Sequence, residues 1–475
     1  MIDELLDFEI EELDSIQGDE RLPSLVREWV SAFGEVSRHN EYAATLAYFC
    51  LLGQILKDNL RIPYGFTTED SRIHICWIQT ARSGKSVLND FYTQITDKTF
   101  NYINAQPGVN SKFNIFDVVD YTDAALIGTT EKVPNPDYEP GGDEPKEIEQ
   151  QVFGALEGSG LALFDEFESS GVFKRSTHKE NVITYFQKLM NTLTTDGYKI
   201  KKKLAHGPTI TCDCQRSMFA TTYPPEHLTE VIAEKGVLQR MFMYIRDVPQ
   251  HVLNQMRREL IASIGQVRER ATPANKFSKA FLTIHNIVKE RHDAGISQNE
   301  IISFSDGFHD SLNLEYDNMI AYLSKVPSEA KKIVSLFETN SLIYITKFAV
   351  LCAITESIDR LDNEKWIVFP RNVRQAAWIV RQGYMSQVAW LLAALRLSRV
   401  EVAEKAGFED YVAGFNACDK TDDGWVNKAQ LRIECEQNHN IPQAKFYRAW
   451  PKIAHKFNEK KEGRTSLVKI KGDED

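Results

Sequence analysis

The chain has 475 residues, 43% of them hydrophobic and 26% charged, a composition typical of a soluble globular protein with two to four domains. No run of about 18 apolar residues is present, so the sequence predicts no membrane span. The formal net charge of −11 argues against a uniformly basic nucleic-acid-binding protein, and seven scattered cysteines indicate reduced, buried thiols in a cytoplasmic protein.

The charge is unevenly distributed along the chain. Residues 1–20 contain nine Asp and Glu and no Lys or Arg, which is the opposite of a signal or transit peptide. Residues 441–472 contain nine Lys and Arg and two Glu, a net charge of +7. This asymmetry predicts an acidic tail at one end of the chain and a basic binding region at the other.

The first half of the chain alternates predicted helices and strands. Residues 21–62 are predicted to be helical, because apolar residues recur every three or four positions. SRIHICWIQT predicts a buried strand and SVLNDFYTQI a helix, and GLALFDEFES (160–169) predicts a second buried strand that ends in two acids. This alternation predicts an α/β fold, with a mainly parallel sheet that is covered by helices.

The remaining segments complete the predicted organisation. Residues 131–150, rich in Pro, Gly and acidic residues, predict an exposed insertion or loop. YKIKKKLAHGPTITCDC predicts a hairpin and RSMFATTYP a further strand. The predicted regions are an acidic tail, an N-terminal helical region, a core, a helical lid and a small separate unit: 1–20, 21–62, 63–250, 251–400 and 401–475.

The stretch IQTARSGKSVLND contains Gly-Lys-Ser, the end of the phosphate-binding pattern G-x-x-x-x-G-K-[ST], but Gln79 stands at the pattern's first glycine. In such a loop, backbone N–H groups surround the phosphates, the lysine reaches the β- and γ-phosphates, and the serine hydroxyl binds Mg²⁺. A predicted strand precedes the loop and a predicted helix follows it, as this mechanism requires. The sequence therefore predicts an ATP and Mg²⁺ site that includes Gly84, Lys85, Ser86 and Val87.

The stretch LALFDEF places Asp165 and Glu166 at the end of a predicted buried strand. A buried strand that ends in two acids is energetically costly unless the acids have a use. We expect Asp165 to hold Mg²⁺ together with Ser86, and Glu166 to polarise the attacking water. The alternative is a solvated acidic turn that binds nothing.

Two further segments fit a nucleotide site. MFATTYP brings Thr221 and Thr222 to the end of another strand, where we expect Thr222 to contact the γ-phosphate or the water. Arg240 lies within the apolar segment GVLQRMFMYIRD, from which an arginine can reach the ATP of a neighbouring subunit. The alternatives are an ordinary β-branched strand residue and an ion-paired interface arginine.

The order of these motifs, with Gly-Lys-Ser, LALFDEF, a basic hairpin, FATTYP and LQRMF, resembles the AAA+ motor of minichromosome-maintenance-type helicases. The likeness covers roughly residues 75–385, and the layout is similar to replicative helicases of phages, plasmids and mobile elements. It implies a homohexamer with Arg240 as an arginine finger. FPRNVRQAAWIVRQ looks like the sensor-two helix of that family, which implies a role for Arg371, with Arg374 as second choice.

The stretch TDGYKIKKKLAHG carries the lysines of the basic hairpin. Strand alternation predicts Lys199, Lys201 and Lys203 on one face and Lys202 on the other. The resemblance implies that this hairpin projects into the ring's channel, where lysines would hold single-stranded DNA. The alternative is an exposed hairpin that is basic for solubility.

Residues 401–475 predict a winged helix, as in the resembling helicases. DGWV would be a strand, KAQLRIECEQN the second helix, IPQAKFYRAWPKIAHKF the recognition helix and NEKKEGRTSLVKI the wing. The candidate contacts to duplex DNA are Lys445, Arg448, Lys452, Lys461 and Arg464. The alternatives are a solvated basic face and a calcium loop, in which Gln430 stands where the last ligand should be Glu.

Taken together, the motifs predict an ATP-driven DNA helicase or translocase that acts in replication of a phage, plasmid or mobile element. The alternative is an AAA+ initiator or helicase loader that binds origin DNA and uses ATP as a switch, and a third possibility is a structural ATPase. The expected partners are DNA, further copies of the chain, and other replication proteins at the acidic N-terminus, with no membrane.

Overall fold

The computed structural model describes residues 22–107, 112–118, 122–138, 140–141, 145–167, 180–193, 199–203, 209–224, 240–246, 248, 250–265, 270–298, 300–324, 338–359, 366–421, 423–438, 446–447, 450, 453–463 and 465–471. The chain divides into two compact units, Met1–Leu391 and Leu392–Asp475. Among the described residues, no helix is both long enough and apolar enough to cross a bilayer. The predicted acidic tail, residues 1–20, lies outside the described residues.

The first unit contains the following elements in chain order. Its helices are α1 (Ser24–Val36), α2 (Glu41–Leu56), α3 (Lys85–Asn104), α4 (Asp123–Ile127), α5 (Glu180–Leu189), α6 (Gln250–Ser263), α7 (Ala271–Asp293), α8 (Phe308–Ser324), α9 (Glu338–Glu356) and the start of α10 (Pro370–Ala417). Its strands are β1 (Arg61–Tyr64), β2 (Thr67–Asp70), β3 (Ile75–Gln79), β4 (Phe113–Val118), β5 (Gly128–Pro134), β6 (Glu147–Phe153), β7 (Gly158–Phe164), β8 (Lys199–Lys203), β9 (Thr209–Thr222), β10 (Phe242–Arg246), β11 (Ile302–Phe304) and β12 (Trp366–Val368).

The central sheet has six strands and is mostly parallel. Five strands follow the order β10, β3, β9, β7 and β4, and each neighbouring pair is parallel. The sixth strand, β8, pairs antiparallel with the first part of β9. The predicted α/β fold with a mainly parallel sheet is therefore confirmed. The carboxyl ends of the parallel strands lie at one edge, which is where α/β proteins bind their ligands.

Close packing explains why these segments form the sheet. Every residue of β3 is buried, as expected for a central parallel strand with both faces covered. At Gly160 of β7, which has φ +122°, a Cβ atom would lie 1.9 Å from the carbonyl oxygen of Asn114 in β4. Only glycine allows these two strands to approach so closely.

The N-terminal helices belong to the core of the first unit. All residues of α2 are buried, because this helix packs between neighbouring elements. Trp29 of α1 packs edge-on against Tyr48 of α2 at 5.6 Å and against Phe277 and Phe281 of α7 at 5.2 and 5.6 Å. Aromatic edge-to-face pairs at such distances add stability beyond the burial of apolar area.

The acidic insertion differs from the prediction. Its arms are not a loop but two antiparallel strands, β5 and β6, whose residues are mostly exposed. The Gln151 side chain accepts from the backbone N–H of Thr211 at 3.3 Å and donates to the same residue's carbonyl at 2.7 Å. The expectation of an exposed insertion is confirmed, and the expectation of a loop is wrong because Pro and Gly occur mainly between the two strands.

Strand β9 also differs from the prediction. The second arm of the lysine hairpin and the strand that ends at Thr222 are one continuous strand of 14 residues, not two. Polar residues in the middle of this strand form hydrogen bonds within the strand and with neighbouring segments. Gln215 donates to Asp213 at 3.0 Å, and Arg216 donates to the carbonyl oxygens of Glu157 and Asn114 at 2.8 and 3.1 Å.

The second unit contains the end of α10 and a small antiparallel sheet. Its elements are β13 (Val426–Asn427), α11 (Lys428–Asn438), a 3₁₀ turn (Ala454–Lys456), β14 (Phe457–Glu462) and β15 (Thr465–Ile470). The strand order is β13, β15, β14, and both pairs are antiparallel. Its core includes Tyr411, Phe415, Leu431, Phe446, Trp450 and Phe457. A strand, a helix and a two-stranded hairpin lie where the sequence predicts them, whereas most of the predicted recognition helix lies outside the described residues.

Candidate nucleotide site

The loop between β3 and α3 is a tight turn that contains two residues with positive φ angles. Gly84 has φ +84° and Arg82 has φ +61°, so both residues adopt left-handed conformations. A Cβ atom at Gly84 would lie 2.8 Å from Ser37 Oγ and 3.0 Å from Asn40 Nδ2. Glycine is therefore required at this position by both the backbone angle and the available space.

Lys85 begins α3 and its side chain is enclosed by the loop. Its ammonium group donates to the carbonyl oxygen of Gln79 and, at 3.2 Å, to that of Thr80. The same group lies 4.3 Å from the centre of the Tyr223 ring, and the residue is only 7% exposed. These contacts hold the positive charge inside the turn, where a P-loop lysine acts on phosphates.

Ser86 and Val87 follow in the first turn of α3, and both are exposed. The helix has 20 residues, so its first N–H groups present a positive partial charge to solvent at this point. A serine hydroxyl here lies beside a natural anion site. The predicted Ser86 hydroxyl ligand is therefore accessible from the carboxyl edge of the sheet.

A chain of hydrogen bonds links the P-loop helix to the acidic strand. Asn89 of α3 donates to Thr221 Oγ1 at 3.5 Å, and Thr221 Oγ1 donates to Asp165 Oδ1 at 2.9 Å. Since β9 lies between β3 and β7, Thr221 bridges the two halves of the predicted site. The structure therefore brings the P-loop and Asp165 to the same edge of the sheet, as the sequence predicts.

Glu166 is exposed and has a left-handed backbone with φ +53°. Such a conformation costs a non-glycine residue about 1–3 kcal/mol and is concentrated at functional sites. Phe164 before the turn and Phe167 after it are buried against Phe186 of α5, at 5.4 Å each. The aromatic cluster thus fixes both sides of the turn, so that Asp165 and Glu166 project at the sheet edge.

The two threonines at the end of β9 face different neighbours. Thr221 contacts Asp165, whereas Thr222 is 1% exposed and lies opposite Ile78 of β3. Adjacent strand residues point to opposite faces, so only one of the pair can reach the acid. The expected contact of Thr222 with the γ-phosphate or the water stays a prediction, and the bond from Thr221 to Asp165 is a contact that the sequence did not reveal.

Of the three candidate arginines, Arg240 precedes β10, whereas Arg371 and Arg374 both lie in α10. The carbonyl oxygen of Arg240 accepts from the Tyr344 hydroxyl at 2.7 Å, and the Arg240 side chain is exposed just before β10. Arg371, in the first turn of α10, forms an ion pair with Glu356 at 2.9 Å. Arg374 is exposed on the same helix. These contacts fix the backbone of Arg240 and the side chain of Arg371.

The lysine hairpin shows the predicted alternation. Lys199 and Lys201 are exposed, whereas Lys202 points to the other face and donates to Asp123 at 2.7 Å. Asp123 also accepts from the Tyr185 hydroxyl at 3.3 Å, and burial together with this carboxylate raises the pKa of Tyr185 to about 12. In the strand register, Lys203 pairs with Thr209. One face of β8 is therefore anchored and the other presents positive charge to solvent.

The second unit exposes part of its predicted basic surface. Lys461 of β14 is exposed and lies opposite Ser466 of β15. Lys460 forms an ion pair with Glu462 at 2.8 Å and lies 4.6 Å from the Trp425 ring. The other predicted DNA-binding residues lie outside the described residues: Lys445, Arg448, Lys452 and Arg464.

The described residues also bear on metal and thiol chemistry. Within them, no group of three or more His, Cys, Asp or Glu side chains is arranged to hold a metal ion. All seven cysteines are free and buried, as the sequence predicts. Burial and the neighbouring Cys214 raise the pKa of the Cys212 thiol, whose sulfur lies 3.3 Å from that of Cys214. A raised pKa disfavours the reactive thiolate.

Comparison with known proteins assigns no family to this chain. No model of a known protein family matches the chain, and no curated protein has a matching sequence.

Proposed function

We propose that this protein is an ATP-hydrolysing P-loop motor that moves along DNA. The observation that carries the proposal is the meeting of the Lys85 loop, Thr221, Asp165 and Glu166 at the carboxyl edge of one parallel sheet. A lysine-bearing loop supplies charge to phosphates, and adjacent acids serve the metal and the water. In chemical terms, the site is suited to hydrolysing a nucleoside triphosphate.

The chain's own residues divide the chemistry. Lys85 binds the β- and γ-phosphates, and the backbone of the loop orients them for in-line attack. Glu166 orients the attacking water and accepts its proton. Ser86 and Asp165 are exposed hard oxygen ligands, which fits Mg²⁺, an ion that takes one or two protein ligands and completes its shell with phosphates and water. When bound there, Mg²⁺ neutralises developing negative charge on the phosphates.

Strand β9 supports movement on DNA as the use of this hydrolysis. Its carboxyl end carries Thr221 at the nucleotide site, and its amino end pairs with the lysine strand β8. Fourteen residues at the usual strand rise span about 45 Å, so one rigid strand joins the two places. A shift at the nucleotide end would therefore be transmitted to Lys199 and Lys201 on the hairpin.

The second unit supports a role on duplex DNA. A three-stranded antiparallel sheet with α11 and a two-stranded hairpin is the framework of a winged helix. Exposed Lys461 lies on that hairpin. We therefore extend the proposal to an AAA+ helicase of DNA replication in a phage, plasmid or mobile element, which acts as a homohexamer because Arg240 would complete the site of a neighbouring copy.

The first test measures nucleotide chemistry. We expect the wild-type protein to bind a fluorescent ATP analogue and to release phosphate, and Lys85→Ala to lose nucleotide binding. The matched control is Lys98→Ala, since Lys98 lies on the same helix about 20 Å further along. Equal nucleotide binding by the wild type and Lys85→Ala would contradict the proposed site.

The second test separates the helicase from the alternative of an initiator or loader. A helicase should displace the strand of a forked DNA substrate only when ATP is hydrolysed. An initiator or loader should bind duplex DNA in an ATP-dependent manner without displacing the strand. An ATPase whose rate does not respond to any DNA would contradict both functions and favour a structural ATPase.

A further inference from the structure

Gln79, which stands where the P-loop pattern has a glycine, forms hydrogen bonds that hold the loop in place. Gln79 is fully buried, and its side-chain oxygen accepts from Trp77 Nε1 at 2.8 Å. Its amide nitrogen donates to Asn40 Oδ1 at 2.8 Å and to the Ser83 carbonyl oxygen at 3.3 Å. A glycine at this position would make none of these three bonds.

The corner between α1 and α2 completes the same network from outside the motif. Asn40 Nδ2 donates to the Ser83 carbonyl oxygen at 2.8 Å and to Ser37 Oγ at 2.9 Å. Ser37 Oγ in turn donates to the Gly84 carbonyl oxygen at 3.0 Å. Both amide hydrogens of Asn40 are thereby used, and the side chains of Ser37, Asn40 and Gln79 are all buried.

These bonds fix the direction of the groups that would face phosphate. In a planar trans peptide, the C=O and the following N–H point in opposite directions. Holding the Ser83 carbonyl toward Asn40 therefore turns the Gly84 N–H away from the corner. Holding the Gly84 carbonyl toward Ser37 does the same for the Lys85 N–H.

From this geometry we propose that Ser37, Asn40 and Gln79 form a clamp that positions the P-loop for nucleotide binding. In the usual P-loop pattern a glycine at this position lets the backbone adopt the loop conformation. Here the hydrogen bonds of the clamp hold the loop in one conformation. Its members are positioning residues, because they touch loop carbonyls and act through the loop's N–H groups. This inference rests on the proposed nucleotide site.

The clamp makes an unusual prediction for the variant that restores the motif. Gln79→Gly recreates G-x-x-x-x-G-K-S, yet we expect it to bind ATP about tenfold more weakly than the wild type. It loses three buried hydrogen bonds and leaves Asn40 Oδ1 and Trp77 Nε1 without these partners. The KM for ATP should rise about tenfold, because the phosphate-binding groups are no longer fixed in advance.

A double-mutant cycle separates positioning from general stability. We expect Asn40→Ala to raise KM by a similar factor, and the double variant with Gln79→Gly to be no worse than either single variant, because both break one network. Thr45→Val is the matched control. Thr45 is buried like Asn40 and lies in the helix that follows it, and its hydroxyl donates to the Glu41 carbonyl oxygen, with no bond to the P-loop among the described residues.

The results for the clamp variants can be told apart from failure of the proposed nucleotide site. If the wild type binds ATP and Lys85→Ala does not, the site stands and the clamp alone is under test. Gln79→Gly with an unchanged or lower KM would overturn the clamp, as would a lower Tm with unchanged KM in both single variants. A raised KM in Gln79→Gly and Asn40→Ala, with a wild-type KM in Thr45→Val, supports it.

Discussion

The two ends of strand β9 are built in opposite ways. At the carboxyl end, the buried Thr221 bonds to the exposed carboxylate of Asp165, and the next residue after that acid has a left-handed backbone. At the amino end, the neighbouring strand exposes Lys199 and Lys201, whereas Lys202 forms an ion pair with Asp123. Under the proposed function, contacts within the protein fix the nucleotide end before ATP binds, whereas the hairpin end would bind DNA through lysines that remain exposed.

The proposed nucleotide site would still need an arginine from a neighbouring copy of the chain. The variant with the largest expected effect tests this requirement. Arg240→Ala should lower hydrolysis about 10³-fold, because an arginine finger stabilises the charge of the transition state. Nucleotide binding should persist, since the loop and Lys85 are untouched. Phosphate release and fluorescent-nucleotide binding measure the two effects.

Mixing variants shows whether Arg240 acts between copies. Inactive Arg240→Ala and inactive Lys85→Ala should regain activity when combined, because mixed interfaces contain one intact site. Mixed assembly is verified with differently tagged chains. If mixed complexes form and remain inactive at every ratio, Arg240 does not complete a neighbouring site.

The strained turn at the nucleotide end gives the second prediction. Glu166→Gln should lower turnover about 10²-fold or more, because the proton acceptor is lost while size and shape are kept. ATP binding should stay near the wild-type level, and the contrast with Lys85→Ala separates catalysis from binding. Normal turnover in Glu166→Gln would remove the assignment of this residue as the base.

The hairpin end should respond more modestly and depend on salt. Lys199→Ala combined with Lys201→Ala should lower affinity for single-stranded DNA about tenfold and reduce the salt slope by about 1.4, at about 0.7 per phosphate contact. Basal ATPase should survive, because neither lysine is part of the nucleotide site. The measurement is a binding titration at several salt concentrations.

The matched control is on the opposite face of the same strand. Lys202→Ala removes the same charge, but Lys202 is paired with Asp123 inside the protein. We expect this variant to leave the salt slope unchanged. If the control and the double variant have equal salt slopes, the exposed face of β8 does not hold DNA.

The parts of this design that local sequence encodes were predictable. Gly84, Lys85 and Ser86 are consecutive, and Asp165 directly follows an apolar run, so the strand–loop–helix and strand–acid patterns are both visible in the sequence. Lysine alternation in β8 follows from the period of a strand. These are the features that the structure places as expected.

The parts that depend on distant contacts were not predictable. Asn40 bonds to Ser83, 43 residues away, and neither position carries a local signal. The continuity of β9 across residues 213–216 depends on contacts with distant segments, such as the bonds from Arg216 to the carbonyl oxygens of Glu157 and Asn114. Tertiary contacts decide such cases, because most buried polar groups in a strand need a hydrogen-bond partner.

The smallest expected effect concerns the basic hairpin of the second unit. Like the lysine hairpin β8–β9, it carries exposed lysine, but it lies much further along the chain from the residues of the proposed nucleotide site. Lys461→Ala should weaken duplex binding about two- to fivefold and reduce the salt slope by about 0.9, the value for one phosphate contact on duplex DNA. Lys460→Ala is the control, since Lys460 is already paired with Glu462 and lies over Trp425.

Both variants should keep wild-type ATPase activity, and their affinity for single-stranded DNA should not change, because we propose that single-stranded DNA binds at the β8 hairpin. Loss of single-stranded binding in Lys461→Ala would show that the two basic hairpins act on the same DNA, and identical duplex binding by Lys461→Ala and the wild type would show that this surface is only solvated.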